Sequence, residues 1–149
     1  MNIEKEGEFF PRKIKFIVIH CSALCCNDPF LPEKPGECLT FAEAGVMGYH
    51  FYIARDGRVY KTGDIRKPGV HTNGFNLHSI GICYEGGVDE YGNPADTRSV
   101  WQKKSMDDLV CALRTCYPAA VIRGHYQLTA DRHRVCPCFN PGREYGKER

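Results

Sequence analysis

Short runs of β-branched and aromatic residues, separated by glycine and proline, most constrain the fold of this chain. The run Phe16-Ile-Val-Ile-His20 is apolar throughout and ends on a polar residue, which is typical of a buried strand. Arg55-Asp-Gly57 predicts a tight turn between two paired strands, because glycine tolerates a positive φ. Runs of this kind predict strands over residues 13–20, 49–54, 58–61, 79–85 and 119–123.

One segment has helical rather than strand periodicity. Between Trp101 and Tyr117 apolar residues recur at spacings of three and four, and Pro118 cannot continue the helix. Shorter helices are predicted over residues 41–46 and within the charged tail 139–149. Strands that alternate with helices predict an α/β fold, with a central mixed β-sheet flanked by α-helices. The length of 149 residues suits a single domain, residues 1–149, with its core between about residues 13 and 141.

Composition and charge exclude several classes of protein. A formal net charge of +2 argues against a dedicated nucleic-acid binder, which usually has a clear basic excess. No stretch approaches the roughly 20 apolar residues that span a bilayer, so membrane insertion is not expected. Four of the first eight residues are charged, and the segment lacks the apolar core of a secretory signal. We therefore expect a compact protein made in the cytoplasm without a signal peptide.

The chain contains nine cysteines, an odd number. The chain lacks an export signal and is long enough to form a core, so a disulfide framework is not expected. Some disulfide bonds remain an alternative if the protein is released from the cell. Cys83, Cys111 and Cys116 are expected to pack in the core as small apolar side chains. A metal becomes an alternative for the cysteines near histidines in the sequence, namely Cys21, Cys25, Cys26, Cys136 and Cys138.

Two histidines follow apolar strands, and a cysteine follows the second of them. His20 and His125 stand at the ends of predicted strands, and strand ends of an α/β sheet open onto a shared crevice. Cys136 lies in the loop shortly after His125. Two imidazoles and one thiolate leave a fourth tetrahedral position for water, which is the pattern of catalytic zinc. Such a site predicts metal-assisted hydrolysis, with ordinary hydrogen-bonded histidines as the alternative.

Eight short segments of the chain form an ordered set of motifs. They are Phe16-Ile-Val-Ile-His-Cys-Ser-Ala23, Gly48-Tyr-His-Phe-Tyr-Ile-Ala-Arg-Asp-Gly57, Gly69-Val-His71, Gly74-Phe-Asn76, Ser79-Ile-Gly-Ile-Cys83, Gly86-Gly87, Gly124-His125 and Cys136-Pro-Cys-Phe139. With these motifs, in this order across roughly residues 14 to 141, the chain resembles the zinc-dependent N-acetylmuramoyl-L-alanine amidases of the phage lysozyme type, which are related in fold to peptidoglycan recognition proteins. The resemblance implies a peptidoglycan recognition protein-like amidase fold.

The resemblance implies a metal site and a catalytic tyrosine. The family's zinc ligands fall on His20, His125 and Cys136. Its catalytic tyrosine falls on Tyr49, whose hydroxyl would contact the metal-bound water or the developing oxyanion. Cys138 competes with Cys136 as the sulfur ligand, and an ordinary strand aromatic is the alternative for Tyr49.

Two further residues take roles from the same resemblance. His71 is expected to contact the substrate or the transition state. Arg134 stands where the family commonly has a lysine, two residues before the cysteine ligand. Arginine can stabilise an oxyanion but cannot donate a proton near neutral pH, so we expect an electrostatic role. His50, His78 and His133 are expected to have structural or surface roles.

These features predict a zinc amidase that hydrolyses the bond between N-acetylmuramic acid and L-alanine in peptidoglycan. Its partner would be peptidoglycan or a muropeptide, and we expect a monomer. A wall-degrading enzyme without an export signal fits a phage or prophage endolysin, released across the membrane by a separate protein. The alternatives are a non-catalytic peptidoglycan-binding module and a cysteine hydrolase that uses Cys21 with His20. Adjacent strand residues point to opposite faces, which disfavours the last.

Overall fold

The computed structural model describes residues 12–25, 48–129 and 135–146. Within these ranges the strands of the main sheet and the long helix follow the order expected from the sequence. Single 3₁₀ turns cover Asn76–His78 and His125–Gln127. The strands and helices are β1 (Phe16–Cys21), β2 (Leu24–Cys25), β3 (Phe51–Ile53), β4 (Val59–Lys61), β5 (Ser79–Tyr84), β6 (Gly87–Val88), α1 (Val100–Cys116), β7 (Val121–Gly124) and α2 (Pro141–Gly146).

The main sheet is mixed, as the sequence predicted. Its five strands follow the order β4-β3-β5-β1-β7. The pairs β3–β5, β5–β1 and β1–β7 are parallel, while β4 pairs antiparallel with β3 after the turn that contains Gly57. Gly57 has a φ of 92°, which is the reason for glycine at this position. The predicted α/β class is confirmed.

The two faces of this sheet serve different purposes. The register pairs Ile17 with Ile80 and Ile19 with Ile82, and these side chains are buried in the same apolar cluster as Met106 of α1. Successive strand residues alternate between faces, so His20 lies on the opposite face. The apolar core therefore fills one side of the sheet and leaves the other side for polar chemistry.

Helix α1 is tied to the sheet at its first turn. Ser99 and Gln102 form a capping box, in which each side chain accepts a hydrogen bond from the other residue's backbone N–H. The Gln102 amide also donates to the backbone carbonyls of Ile53 and Glu85, at 3.2 and 2.9 Å. These bonds satisfy a fully buried polar side chain and fix the helix against the ends of β3 and β5.

The core prediction was wrong for two cysteines. Cys83 is fully buried as expected, but Cys111 and Cys116 are exposed. Cys111 follows the buried Val110 by one residue and is therefore turned about 100° away from the sheet. Cys116 is the last residue of α1 and follows the exposed Thr115. The helix predicted over residues 41–46 lies outside the described residues.

The small sheet formed by β2 and β6 was not predicted, because it falls in a segment rich in loop-forming residues. Within the described ranges, no helix combines the length and the hydropathy needed to span a membrane.

Candidate active site

The two predicted histidine ligands and the predicted cysteine meet at one edge of the sheet. Strands β1 and β7 are parallel neighbours, so His20 near the end of β1 and His125 just after β7 reach the same place. The loop before α2 brings Cys136 to them. One candidate ligand atom from each residue lies within 4.8 Å of the other two. The His20 and His125 ring centroids are 4.7 Å apart.

The chemistry of this group fits a zinc ion. Imidazole nitrogen and thiolate sulfur are the donors that zinc prefers, and three protein ligands leave a position for solvent or substrate. The Cys136 sulfur accepts a hydrogen bond from the backbone N–H of Cys21 at 3.1 Å, which orients it toward the end of β1. His20 is almost fully buried, so little water competes at its ring.

His71 contacts His20 from the loop between β4 and β5. Its Nδ1 lies 3.0 Å from His20 Nε2 and 2.9 Å from the Thr72 hydroxyl, and its Nε2 lies 3.2 Å from the Ser79 hydroxyl. The Asn76 side chain accepts from the backbone N–H of His71 at 2.9 Å. Burial lowers the pKa of His71 to about 3, so its ring is neutral at neutral pH. The predicted contact of His71 with substrate stays a prediction.

Tyr49 lies beside the histidines, just before β3. Its ring centroid is 4.9 Å from that of His20 and 6.5 Å from that of His71. The preceding Gly48 has a φ of 96°, and an added Cβ there would lie 2.5 Å from the Val70 backbone. Burial raises the pKa of the Tyr49 hydroxyl, which keeps it protonated and able to donate a hydrogen bond.

The other cysteines near this site have different surroundings. Cys138 is not part of the three-residue group, and its thiol donates to the Gly87 carbonyl at 3.4 Å. Cys21 packs in the apolar cluster on the α1 side of the sheet, with Tyr84 as its register partner. This placement disfavours Cys21 as a nucleophile activated by His20.

The remaining predicted residues divide into structural and undescribed groups. His50 accepts the backbone N–H of Gly81 on Nδ1 at 3.0 Å, and its Nε2 is 2.8 Å from the Lys67 carbonyl, which agrees with a structural role. His78 is partly exposed, with its Nδ1 3.0 Å from the Lys13 carbonyl oxygen. Arg134 and His133 lie outside the described residues.

An open cavity of about 520 Å³ adjoins the histidines. His71 and His125 line it, together with neutral polar side chains and the exposed Val70 at its edge. No site role was predicted for Thr72, which reaches His20 across 52 positions, or for Ser79, which was expected only as the first residue of a strand. The lining residues are Val70, His71, Thr72, Asn73, Asn76, His125 and Thr129.

Comparison with known proteins decides the family. A family model described as N-acetylmuramoyl-L-alanine amidase matches residues 10–139. The chain belongs to this amidase family. It is 36% identical to the endolysin of Escherichia phage T7 over 140 residues, which cover 88% of this chain and 85% of the phage protein. It is also 37% identical to the endolysin of Enterobacteria phage K11 over 94 residues. The matched residues are 63% of this chain and 60% of the K11 protein, so the match spans less than two thirds of that relative.

Solved structures agree with the expected amidase fold. N-acetylmuramoyl-L-alanine amidase LysC from Clostridium intestinale URNW superimposes with a TM-score of 0.63 at 25% identity, covering 91% of this chain and 83% of that chain. The bumblebee peptidoglycan recognition protein PGRP-SA superimposes with a TM-score of 0.63 at 24% identity, covering 90% and 81%. The second match concerns the fold alone, and it confirms the expected likeness in fold to peptidoglycan recognition proteins.

The contact between Gly81 and His71 gives a first test of the site. A Cβ added at Gly81 would lie 2.7 Å from the His71 ring. Gly81→Ala is therefore expected to displace the ring and to lower the free energy of unfolding by about 1–3 kcal/mol, as overpacking does. Urea denaturation measures this loss. Gly146→Ala is the control, because the added Cβ would lie 4.0 Å from the Arg123 guanidinium, an ordinary packing distance. Equal stability of both variants and wild type would contradict the packing described.

Proposed function

We propose that the protein is a zinc-dependent N-acetylmuramoyl-L-alanine amidase that hydrolyses the bond between N-acetylmuramic acid and L-alanine in peptidoglycan. The observation that carries this proposal is the meeting of His20, His125 and Cys136 within 4.8 Å in a chain of the amidase family. The endolysin relatives support a role in wall degradation.

The proposed ligands of the zinc ion are His20, His125 and Cys136. The bound ion would supply Lewis-acid activation of water and of the scissile carbonyl. The chain's own residues complete the site. The protonated Tyr49 hydroxyl donates a hydrogen bond to the oxygen that gains negative charge during attack. Arg134, as a permanent cation, adds electrostatic stabilisation of that charge.

Neutral His71 has a positioning role in this proposal and remains a candidate for substrate contact. Its ring nitrogens already lie against His20, Thr72 and Ser79, so the ring cannot rotate without breaking these contacts. It thereby holds the buried His20 ring in one orientation. Metal-binding histidines commonly depend on such a partner at their other nitrogen.

The cavity beside His71 and His125 is the proposed place for peptidoglycan or a muropeptide. Its neutral polar lining, which includes Asn73 and Thr129, suits the hydroxyl and amide groups of a glycopeptide. We further propose that the protein acts as a monomer on the cell wall, after synthesis in the cytoplasm and phage-type release.

Chelation and digestion test the proposed activity together. Purified protein is expected to contain one zinc ion per chain and to release peptides from isolated cell wall. Mass spectrometry would show a new free amine on L-alanine and intact N-acetylmuramic acid. Removal of the metal with a chelator should abolish release, and added zinc should restore it. Tight wall binding without zinc and without cleavage would instead favour the non-catalytic binding module.

A further inference from the structure

The segment that carries Cys136 needs support from the rest of the protein. Residues 135–139, here called the cysteine loop, contain no helix or strand. Cys138 has a φ of 74°, in the left-handed region that side chains with a Cβ seldom adopt. A strained residue of this kind persists only where its surroundings hold it. The contacts on the cysteine loop therefore decide where the Cys136 sulfur lies.

Tyr84 provides the first of these contacts. Its hydroxyl donates a hydrogen bond of 2.7 Å to the Pro137 carbonyl, one residue after Cys136. Tyr84 is fully buried in β5, beside Cys21 of β1. The backbone N–H of Cys21 in turn donates to the Cys136 sulfur. One rigid part of the sheet thus holds both the ligand atom and the peptide that follows it.

Arg98 provides a second contact at the far end of the cysteine loop. Its guanidinium lies 3.5 Å from the centroid of the Phe139 ring, and only 3% of the side chain is exposed. Asp96 accepts two hydrogen bonds from it at 2.9 and 3.0 Å, and Glu144 of α2 accepts two more at 3.1 Å. These paired bonds fix the plane of the guanidinium and therefore the place of Phe139.

We propose that Tyr84 and Arg98 are positioning residues that hold the cysteine loop so that Cys136 can bind the metal ion. The inference rests on the proposed function. Metal ligands must lie within about 0.2 Å of their preferred distances. Without the Tyr84 hydroxyl, the Pro137 carbonyl loses this partner and the cysteine loop can shift. Residues that orient a ligand typically change metal affinity by about 10–100-fold when they are lost.

Tyr84→Phe tests the inference, because it removes one hydroxyl and keeps the buried ring. The zinc dissociation constant, measured by competition with a chromophoric chelator, is expected to rise about 10–100-fold. Circular dichroism should show an unchanged fold at the temperature of the titration. The activity of Tyr84→Phe should be closer to that of wild type at saturating zinc than at limiting zinc.

Tyr145→Phe is the matched control. Tyr145 is also buried, and its hydroxyl donates a bond of the same 2.7 Å length, but to Asp107 of α1. This variant is expected to lose stability without losing zinc affinity. Arg98→Lys keeps the positive charge but loses the planar set of donors, so it should weaken zinc binding as Tyr84→Phe does.

The outcomes separate this inference from the proposed function. Unchanged zinc affinity of Tyr84→Phe, or an equal loss in Tyr145→Phe, would overturn the positioning role while leaving a zinc amidase intact. Wild-type protein that binds no zinc would overturn both. A selective loss of affinity in Tyr84→Phe and Arg98→Lys is the result that the structure predicts.

Discussion

Cys136→Ser is expected to abolish wall digestion and to weaken zinc binding by roughly two to three orders of magnitude. A serine hydroxyl is not ionised near neutral pH and is a poor zinc ligand, so one of three protein ligands is lost. Zinc binding through a complete ligand set is worth about 10–16 kcal/mol in small zinc domains. Such domains bind zinc through four ligands, so an equal share for each corresponds to roughly 2.5–4 kcal/mol. Zinc titration and peptide release measure the two effects separately.

Cys116→Ser is the control for this substitution. Cys116 is an exposed thiol at the end of α1, outside the group of candidate ligands. The Cys116→Ser variant should therefore bind zinc and digest cell wall as wild type does. Full activity of Cys136→Ser would show that its sulfur is not needed. Equal losses in both variants would point to general damage from removing a thiol.

Tyr49→Phe is expected to lower kcat by about a hundredfold to a thousandfold, with little change in zinc affinity. The ring stays beside His20, but the hydroxyl that would stabilise the oxyanion is gone. Removal of one such donor has an effect of this size in other hydrolases. Initial rates on purified muropeptide, together with a zinc titration, measure it.

Tyr91→Phe provides the comparison, because Tyr91 is 78% exposed in a surface turn. Its rate should equal that of wild type. If Tyr49→Phe kept the wild-type kcat, Tyr49 would be only a packing residue of the site. If it lost zinc along with activity, its role would be to position His20 rather than to stabilise charge.

Local patterns were sufficient to predict the strands of the main sheet and the strand ends on which the two candidate histidine ligands lie. The alternation and β-branched content of β1 and β5 reflect their burial, which is a property of each segment. Parallel pairing then brings His20 and His125 together whatever the details of the intervening loops. The sequence could therefore indicate the candidate metal site through short segments and one topological rule.

Contacts between distant segments were not predictable in the same way. The approach of Thr72 to His20 joins residues 52 positions apart, and the Tyr84–Pro137 bond joins residues 53 apart. Each depends on register and loop geometry that no local pattern encodes. The exposure of Cys116 has a similar origin, because helical spacing marks a face of α1 but not where the sheet beneath it ends.

X-ray absorption spectroscopy of the zinc-loaded wild-type protein tests most directly whether two histidines and one cysteine bind the same zinc ion. We expect one sulfur atom at about 2.3 Å and two imidazole nitrogens at about 2.0–2.1 Å, with an oxygen donor completing the shell. A zinc shell without sulfur, or with two or more sulfur atoms, would contradict a centre formed by His20, His125 and Cys136.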